Sequence, residues 1–78
     1  MTSLDQLAPG AVATVAELRL EQNPGLHRLL SLGLVPGASI ELIQRYPTFV
    51  VQVNESQIAF DESIAADVLV NPAPTEKP

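Results

Sequence analysis

The sequence predicts a small, mainly β domain, a closed barrel of five to six short strands with one short α-helix. Short apolar segments at strand spacing recur between turn signals rich in proline, glycine and asparagine. One leucine-rich segment follows helical spacing instead, and it ends at a glycine. A closed barrel is favoured over a flat sheet because closure removes exposed strand edges.

Length and composition limit this domain. The chain has 78 residues, which suits one minimal domain. Its aromatic residues are Tyr46, Phe49 and Phe60, so the core is expected to consist mainly of Val, Leu, Ile and Ala. The absence of cysteine excludes a disulfide framework and a thiolate metal site, and it suits a reducing cytosol. We place the domain at residues 1–70 and a flexible proline-rich tail at 71–78.

The charge pattern and the start of the chain exclude several classes of partner. The formal net charge is −5, and the four cations are too few to neutralise a run of phosphates, so nucleic acid is not an expected partner. The start lacks the features of a signal peptide, and no run approaches the roughly 18 apolar residues of a membrane span. We therefore expect a soluble chain that does not insert into a membrane.

The first long strand is predicted within residues 11–22, after a turn at Pro9-Gly10. The step from Val15 to Leu18 breaks the alternation of a strand, so a bulge is expected near Ala16-Glu17.

The helix is predicted over residues 24–32. Asn23 is the expected cap, and Pro24 occupies the first helical position, where its missing N–H is harmless. Gly33 follows, where a helix stop favours positive φ. Three leucines at helical spacing form a stripe toward the core: Leu26, Leu29 and Leu30.

The segment after the helix is predicted to be a rigid turn. Leu34 is expected to fold back onto the last helical turn. Pro36 and Gly37 suit the second and third positions of a β-turn whose third residue has positive φ. Gly33, Pro36 and Gly37 are therefore assigned structural roles.

The rest of the chain predicts a hairpin, one helical turn and a last strand. In the strand beginning near residue 39, alternate residues are expected on one side: Ile40, Leu42, Gln44 and Tyr46. A further strand over residues 49–53 turns at Asn54-Glu55-Ser56 into one carrying Ile58 and Phe60. Asp61 is expected to cap the helical turn before the final strand.

The chemistry-bearing residues do not form a recognisable catalytic or metal-ligating set. The sequence has no phosphate-binding loop and no nucleophile elbow. His27 has no second histidine or cysteine to complete a metal site. The carboxylates of Asp61, Glu62 and Asp67 are explained by helix capping and solvation. We therefore expect a binding protein with no catalytic residues, no metal site and no cofactor.

The sequence resembles the FeoA family, the small SH3-like β-barrel proteins of bacterial ferrous iron uptake, from Leu4 to Val70. The specific part is a central block of Arg-Leu, Leu-Gly and Pro-Gly pairs leading into a strand. Asn54 replaces a glycine common in the last hairpin, which is acceptable because asparagine tolerates positive φ. The residues that carry the resemblance are Leu4, Leu7, Gly10, Val15, Leu18, Arg28, Leu29, Leu32, Gly33, Pro36, Gly37, Ile40, Ala59, Ala65 and Val70.

The resemblance implies a cytoplasmic, non-catalytic accessory protein that binds the FeoB membrane GTPase and supports Fe(II) import. The residues expected to contact this partner are Leu34, Val35, Tyr46 and Phe49, as apolar groups beside a rigid turn. Two alternatives stay open. One is a stand-alone relative of the SH3-like domain of DtxR-type repressors, and the other is a weak Fe(II) carrier that uses His27 and carboxylates. The oligomeric state is left open.

Overall fold

The computed structural model describes residues 1–73, in which six strands form one antiparallel sheet. The strands are β1 (Thr2–Ser3), β2 (Val12–Leu18), β3 (Ser39–Gln44), β4 (Phe49–Val53), β5 (Ser56–Phe60) and β6 (Val68–Pro72). Two short α-helices, α1 (Leu26–Ser31) and α2 (Glu62–Ala65), and a 3-10 turn at Leu4–Gln6 lie in the connections. The predicted mainly β class is confirmed, although the predicted flexible tail lies mostly outside the described residues.

The sheet is not fully closed by hydrogen bonds. Its strand order is β1-β6-β2-β3-β4-β5, and in the described part of the chain no ladder joins the two end strands. Within residues 1–73 the sheet therefore ends in two edges. The β1 edge has two residues and the β5 edge has five.

The core consists of apolar side chains, as the composition predicts. Phe49 and Phe60 are its aromatic members, with ring centroids 6.3 Å apart and nearly parallel planes. Leu4 and Leu7, from the N-terminal turn, are buried with the strand residues, so this turn covers part of the core. The buried residues are Leu4, Leu7, Ala13, Val15, Leu18, Leu26, Leu29, Leu34, Ile40, Leu42, Phe49, Val51, Val53, Ile58, Phe60, Ala65, Val68 and Val70.

Two bulges bend the sheet, and the sequence predicts only one of them. The register of β2 against β6 shifts between Val15 and Glu17, where the broken alternation predicts a bulge. A second shift, between Leu42 and Gln44 in β3, reverses the faces of the following residues. Gln44 consequently pairs with Val50 and faces away from the core, so the expected placement of Gln44 on the side of Leu42 is wrong.

Helix α1 begins later than predicted. Its first residue is Leu26, and Asn23 does not cap it. Instead, the Asn23 side chain donates to the Ser63 carbonyl oxygen at 3.3 Å and to Asp67 Oδ2 at 3.4 Å. The Leu26 amide bonds the Asn23 carbonyl at 3.0 Å, so the segment makes a tight turn before the helix. The contacts of Asn23 with the α2 region therefore replace its capping role.

The folded domain extends beyond the boundary expected at residue 70. Strand β6 continues to Pro72, which pairs with Ala13 of β2, and the Ala73 amide donates to the Val12 carbonyl at 2.8 Å. Proline has no N–H to donate to a neighbouring strand. It is acceptable at position 72 because β1 pairs with β6 only as far as Val70, so one side of β6 is an open edge here.

Candidate partner-binding surface

The end of α1 is fixed by two backbone hydrogen bonds that position the apolar residues after it. The Leu34 amide donates to the Leu29 carbonyl at 3.0 Å, and the Gly33 amide donates to the Leu30 carbonyl at 3.1 Å. Gly33 has φ +107°, the positive value that this helix stop requires. This is the geometry that the leucine pattern and the glycine predict.

The following turn is attached to β2. The Ala38 amide donates to the Val35 carbonyl at 2.9 Å, and Gly37 has φ +94°, as in a turn with proline second and glycine third. The Gly37 amide also donates to the Val15 carbonyl at 2.7 Å. Val35 and Pro36 are exposed, so they are presented to solvent by backbone that is held on both sides.

The structure places the four predicted contact residues in two different environments. Leu34 is completely buried and Phe49 is 4% exposed, so the prediction that these two side chains form a contact surface is wrong. Leu34 is buried because the helix stop folds it onto α1. Phe49 is buried because it alternates with Val51 and Val53 on the core face of β4.

Val35 and Tyr46 are exposed, at 39% and 87%, but they do not share one compact surface. The six residues of β3 lie between them in the chain, a separation of roughly 20 Å in extended backbone. Val35 precedes the strand and Tyr46 follows it, beside a cis peptide bond to Pro47. Their roles in binding a partner stay predictions, as two separate positions.

Leu32 extends the exposed apolar area around Val35. It is 45% exposed and was not among the predicted contact residues. The sequence does contain a signal for it, because Leu32 falls outside the stripe of leucines that faces the core. We call Leu32, Val35 and Pro36 the α1 surface. Arg28 borders it, one helical turn before Leu32 and exposed.

A second exposed apolar area lies on the outer face of the sheet. Val12 and Ile43 are 44% and 41% exposed. Val12 pairs with Glu41, and Ile43 is two residues further along the same strand, so the three side chains share this face. Glu41 therefore places a charge beside the two apolar groups. A shallow depression of about 310 Å³ lies here, lined by Val12, Ser39, Ile40, Glu41, Gln52 and Asn54.

Arg45 is occupied by internal contacts. Its Nη1 donates to the carbonyl oxygens of Asp5 at 2.7 Å and Leu7 at 2.6 Å. Its guanidinium carbon also lies 5.4 Å from the centroid of the Phe49 ring. Arg45 thus attaches the N-terminal turn to the end of β3. Sequence reasoning missed this role, and no local pattern indicates it, because the contacted carbonyls are about 40 residues away.

Asp61 has the capping role that the sequence predicts. Its Oδ1 accepts from the Ser63 hydroxyl at 2.8 Å and from the Ile64 amide at 3.1 Å. These hydrogen bonds, with that of Ser63 the larger influence, lower the pKa of Asp61 from its ordinary value of 3.8. The carboxylate therefore stabilises the start of α2 rather than joining a cluster of catalytic groups.

The described residues contain no group of three or more His, Cys, Asp and Glu side chains that could hold a metal ion. Neither helix in residues 1–73 has the length and apolar character needed to cross a bilayer.

The small six-stranded antiparallel sheet and its short helices are typical of an SH3-like domain. The FeoA domain profile matches residues 2–72 of the chain. The chain therefore belongs to the FeoA family, and the resemblance seen in the sequence is confirmed. Among curated proteins, none gives a significant sequence match.

Solved structures support this assignment. One is a crystal structure of an iron uptake regulatory protein (FeoA), whose sequence is 25% identical to this chain. The two structures superpose with a TM-score of 0.77, and the match covers 92% of this chain and 96% of that chain. The FeoA of Stenotrophomonas maltophilia, crystallised with zinc, is 27% identical, with a TM-score of 0.76 and 91% of each chain covered. That protein is described as a prokaryotic SH3 domain protein with a suggested role as a ferrous iron transport activating factor.

The similarity extends to part of a larger protein, IdeR. The IdeR of T. acidophilum is 26% identical, with a TM-score of 0.83. The match covers 92% of this chain but only 34% of IdeR, so the chain resembles one part of that protein.

Proposed function

We propose that this protein is a non-catalytic, cytoplasmic accessory protein of bacterial ferrous iron uptake that binds a FeoB-like membrane GTPase. The observation that carries the proposal is the FeoA domain match over residues 2–72. The match with the S. maltophilia FeoA structure supports it, because that match covers 91% of both chains. The suggested activating role of that relative is consistent with an accessory function.

Within this function, the α1 surface is the proposed contact with the transporter. Leu32 and Val35 are both large and exposed, and covering such side chains contributes about 1–2 kcal/mol each. The hydrogen bonds of Gly33, Leu34 and Gly37 fix their backbone, so little conformational entropy is lost on binding. Tyr46 is proposed as a second contact, at the other end of β3.

The test is a binding measurement with a purified FeoB-like transporter in detergent. Leu32→Glu and Val35→Glu are each expected to weaken binding by at least roughly tenfold, because a charge replaces a buried apolar contact. Ile43→Glu is the matched control, since Ile43 has similar exposure on the sheet face. Thermal unfolding checks that each variant is folded. Normal binding by both α1-surface variants would contradict the proposed contact.

Two further measurements address the alternatives. The likeness to part of IdeR favours a regulatory relative as a second candidate, and this would be supported by specific binding to operator DNA in a gel-shift experiment. The carrier alternative predicts stoichiometric Fe(II) binding at submicromolar concentration in anaerobic calorimetry. Neither result is expected for a docking protein.

A further inference from the structure

Strand β5 is a free edge of the sheet. It is last in the strand order and pairs only with β4. Ser56, Gln57 and Ala59 are exposed. Among the described residues, no backbone hydrogen bond outside the ladder engages residues 56–60.

The hairpin geometry identifies the backbone groups that are free. Val53 pairs with Ser56 across a loop of two residues, Asn54 and Glu55. In such a hairpin the pair next to the loop is hydrogen bonded, as is every second pair after it. Gln57 and Ala59 therefore direct their N–H and C=O groups away from β4, where an added strand could bond them.

This edge lacks the features that usually prevent strand addition. Protected edges carry a lysine, a proline or a bulge, or are very short. Residues 56–60 have the sequence SQIAF, with no charge and no proline, and all five pair with β4 in unbroken register. The other edge, β1, has only two residues. The β5 edge is therefore the more receptive of the two.

Charges at the two ends of β5 indicate what kind of strand it accepts. Glu55 precedes the strand, and Asp61 and Glu62 follow it. If two copies paired antiparallel through Gln57 and Ala59, Glu55 of each would lie opposite Asp61 of the other. Like charges directly opposite each other are destabilising. A second copy in this register is therefore disfavoured, and a strand with cations at both ends is favoured.

We propose that the β5 edge binds an extended segment of another protein by strand addition, with Lys or Arg opposite Glu55 and Asp61. Gln57 and Ala59 supply the backbone hydrogen bonds. The charges at the two ends set the preference for a basic segment. This surface is distinct from the α1 surface, and the proposal does not depend on the identity of the transporter.

The test uses a capped seven-residue peptide with alternating Thr and Val between two terminal lysines. The peptide is titrated into the full-length protein at low salt, and the backbone amide signals of the protein are followed by NMR. We expect the amide chemical shifts of Gln57 and Ala59 to change and their amide hydrogen exchange to become slower. A peptide with terminal glutamates should bind about tenfold more weakly, because two attractive pairs become repulsive. Equal affinity for the two peptides, or shifts centred elsewhere, would overturn the proposal.

Variants separate edge binding from general attraction to an acidic protein. Gln57→Lys should weaken binding of the basic peptide roughly fivefold, whereas Gln22→Lys, the same change in an exposed loop, should not. Ala59→Pro removes an outward N–H without breaking the β4 ladder and should abolish binding. If this variant does not fold, the Gln57→Lys comparison decides. Concentration-dependent broadening at β5 without peptide would instead assign the edge to a second copy and refute the proposal.

Discussion

Gly33 offers the clearest test of how the α1 surface is held. Its φ of +107° lies in a region that side-chain-bearing residues rarely adopt. A Cβ built at this position would lie 3.6 Å from Val53 Cγ1, an ordinary contact. The penalty of a substitution is therefore conformational rather than steric at that atom. We expect Gly33→Ala to lower the free energy of unfolding by about 1–2 kcal/mol and Gly33→Val by about 2–3 kcal/mol.

The assay is thermal unfolding followed by far-UV circular dichroism. For a domain of this size, each kcal/mol corresponds to a Tm change of about 4–8 °C. Gly33→Asn should lose less than Gly33→Ala, because asparagine tolerates positive φ better. Gly25→Ala is the control, since Gly25 has an ordinary helical φ of −61°. An unchanged Tm in Gly33→Val would refute the argument that backbone conformation at Gly33 fixes the helix end.

Three further predictions concern stability. Arg45→Gln should lower the free energy of unfolding by about 1 kcal/mol, because two carbonyl hydrogen bonds are lost, one exposed and one part-buried. Urea unfolding, compared with that of Arg19→Gln, measures this. Asp61→Asn should be less stable than wild type above pH 3.8 and approach it as pH falls. A carboxyl whose pKa is lowered in the folded state stabilises fully above the unfolded pKa and loses this contribution as pH falls through the folded pKa. A constant difference in Tm from about pH 2.5 to 6 would oppose this. Gly25→Ala should be close to neutral in Tm, because the lower conformational entropy of the unfolded chain offsets a 3.1 Å approach of the new Cβ to Ile64 Cδ1. A loss above about 2 kcal/mol would show that Ile64 cannot move.

Features specified by neighbouring residues could be predicted from the sequence. The helix stop at Gly33, the turn at Pro36-Gly37 and the cap at Asp61 each depend on residue types within a few positions. The bulge near Glu17 was visible as a break in alternation. Asn54 has φ +55°, in agreement with its predicted replacement of glycine. These elements are local in sequence, so propensity and spacing were sufficient.

Features that depend on distant contacts could not be predicted in the same way. The bulge at the end of β3 reverses the face of Gln44, and only the pairing with β4 shows this. Asn23 has the chemistry of a cap, but contacts with Ser63 and Asp67 take its side chain. The error at Phe49 was different, because the alternation with Val51 and Val53 already indicated burial.

The two proposed transporter contacts, the α1 surface and Tyr46, lie at opposite ends of β3, and this allows a prediction about the transporter complex. Tyr46 lies at the far end of β3. If the transporter docks on the α1 surface, contact should decrease with distance from it. We therefore expect Val35→Glu to weaken transporter binding most and Tyr46→Glu less, by calorimetry with folded variants. If Tyr46→Glu had the largest effect, the main contact would be at the cis-proline turn instead.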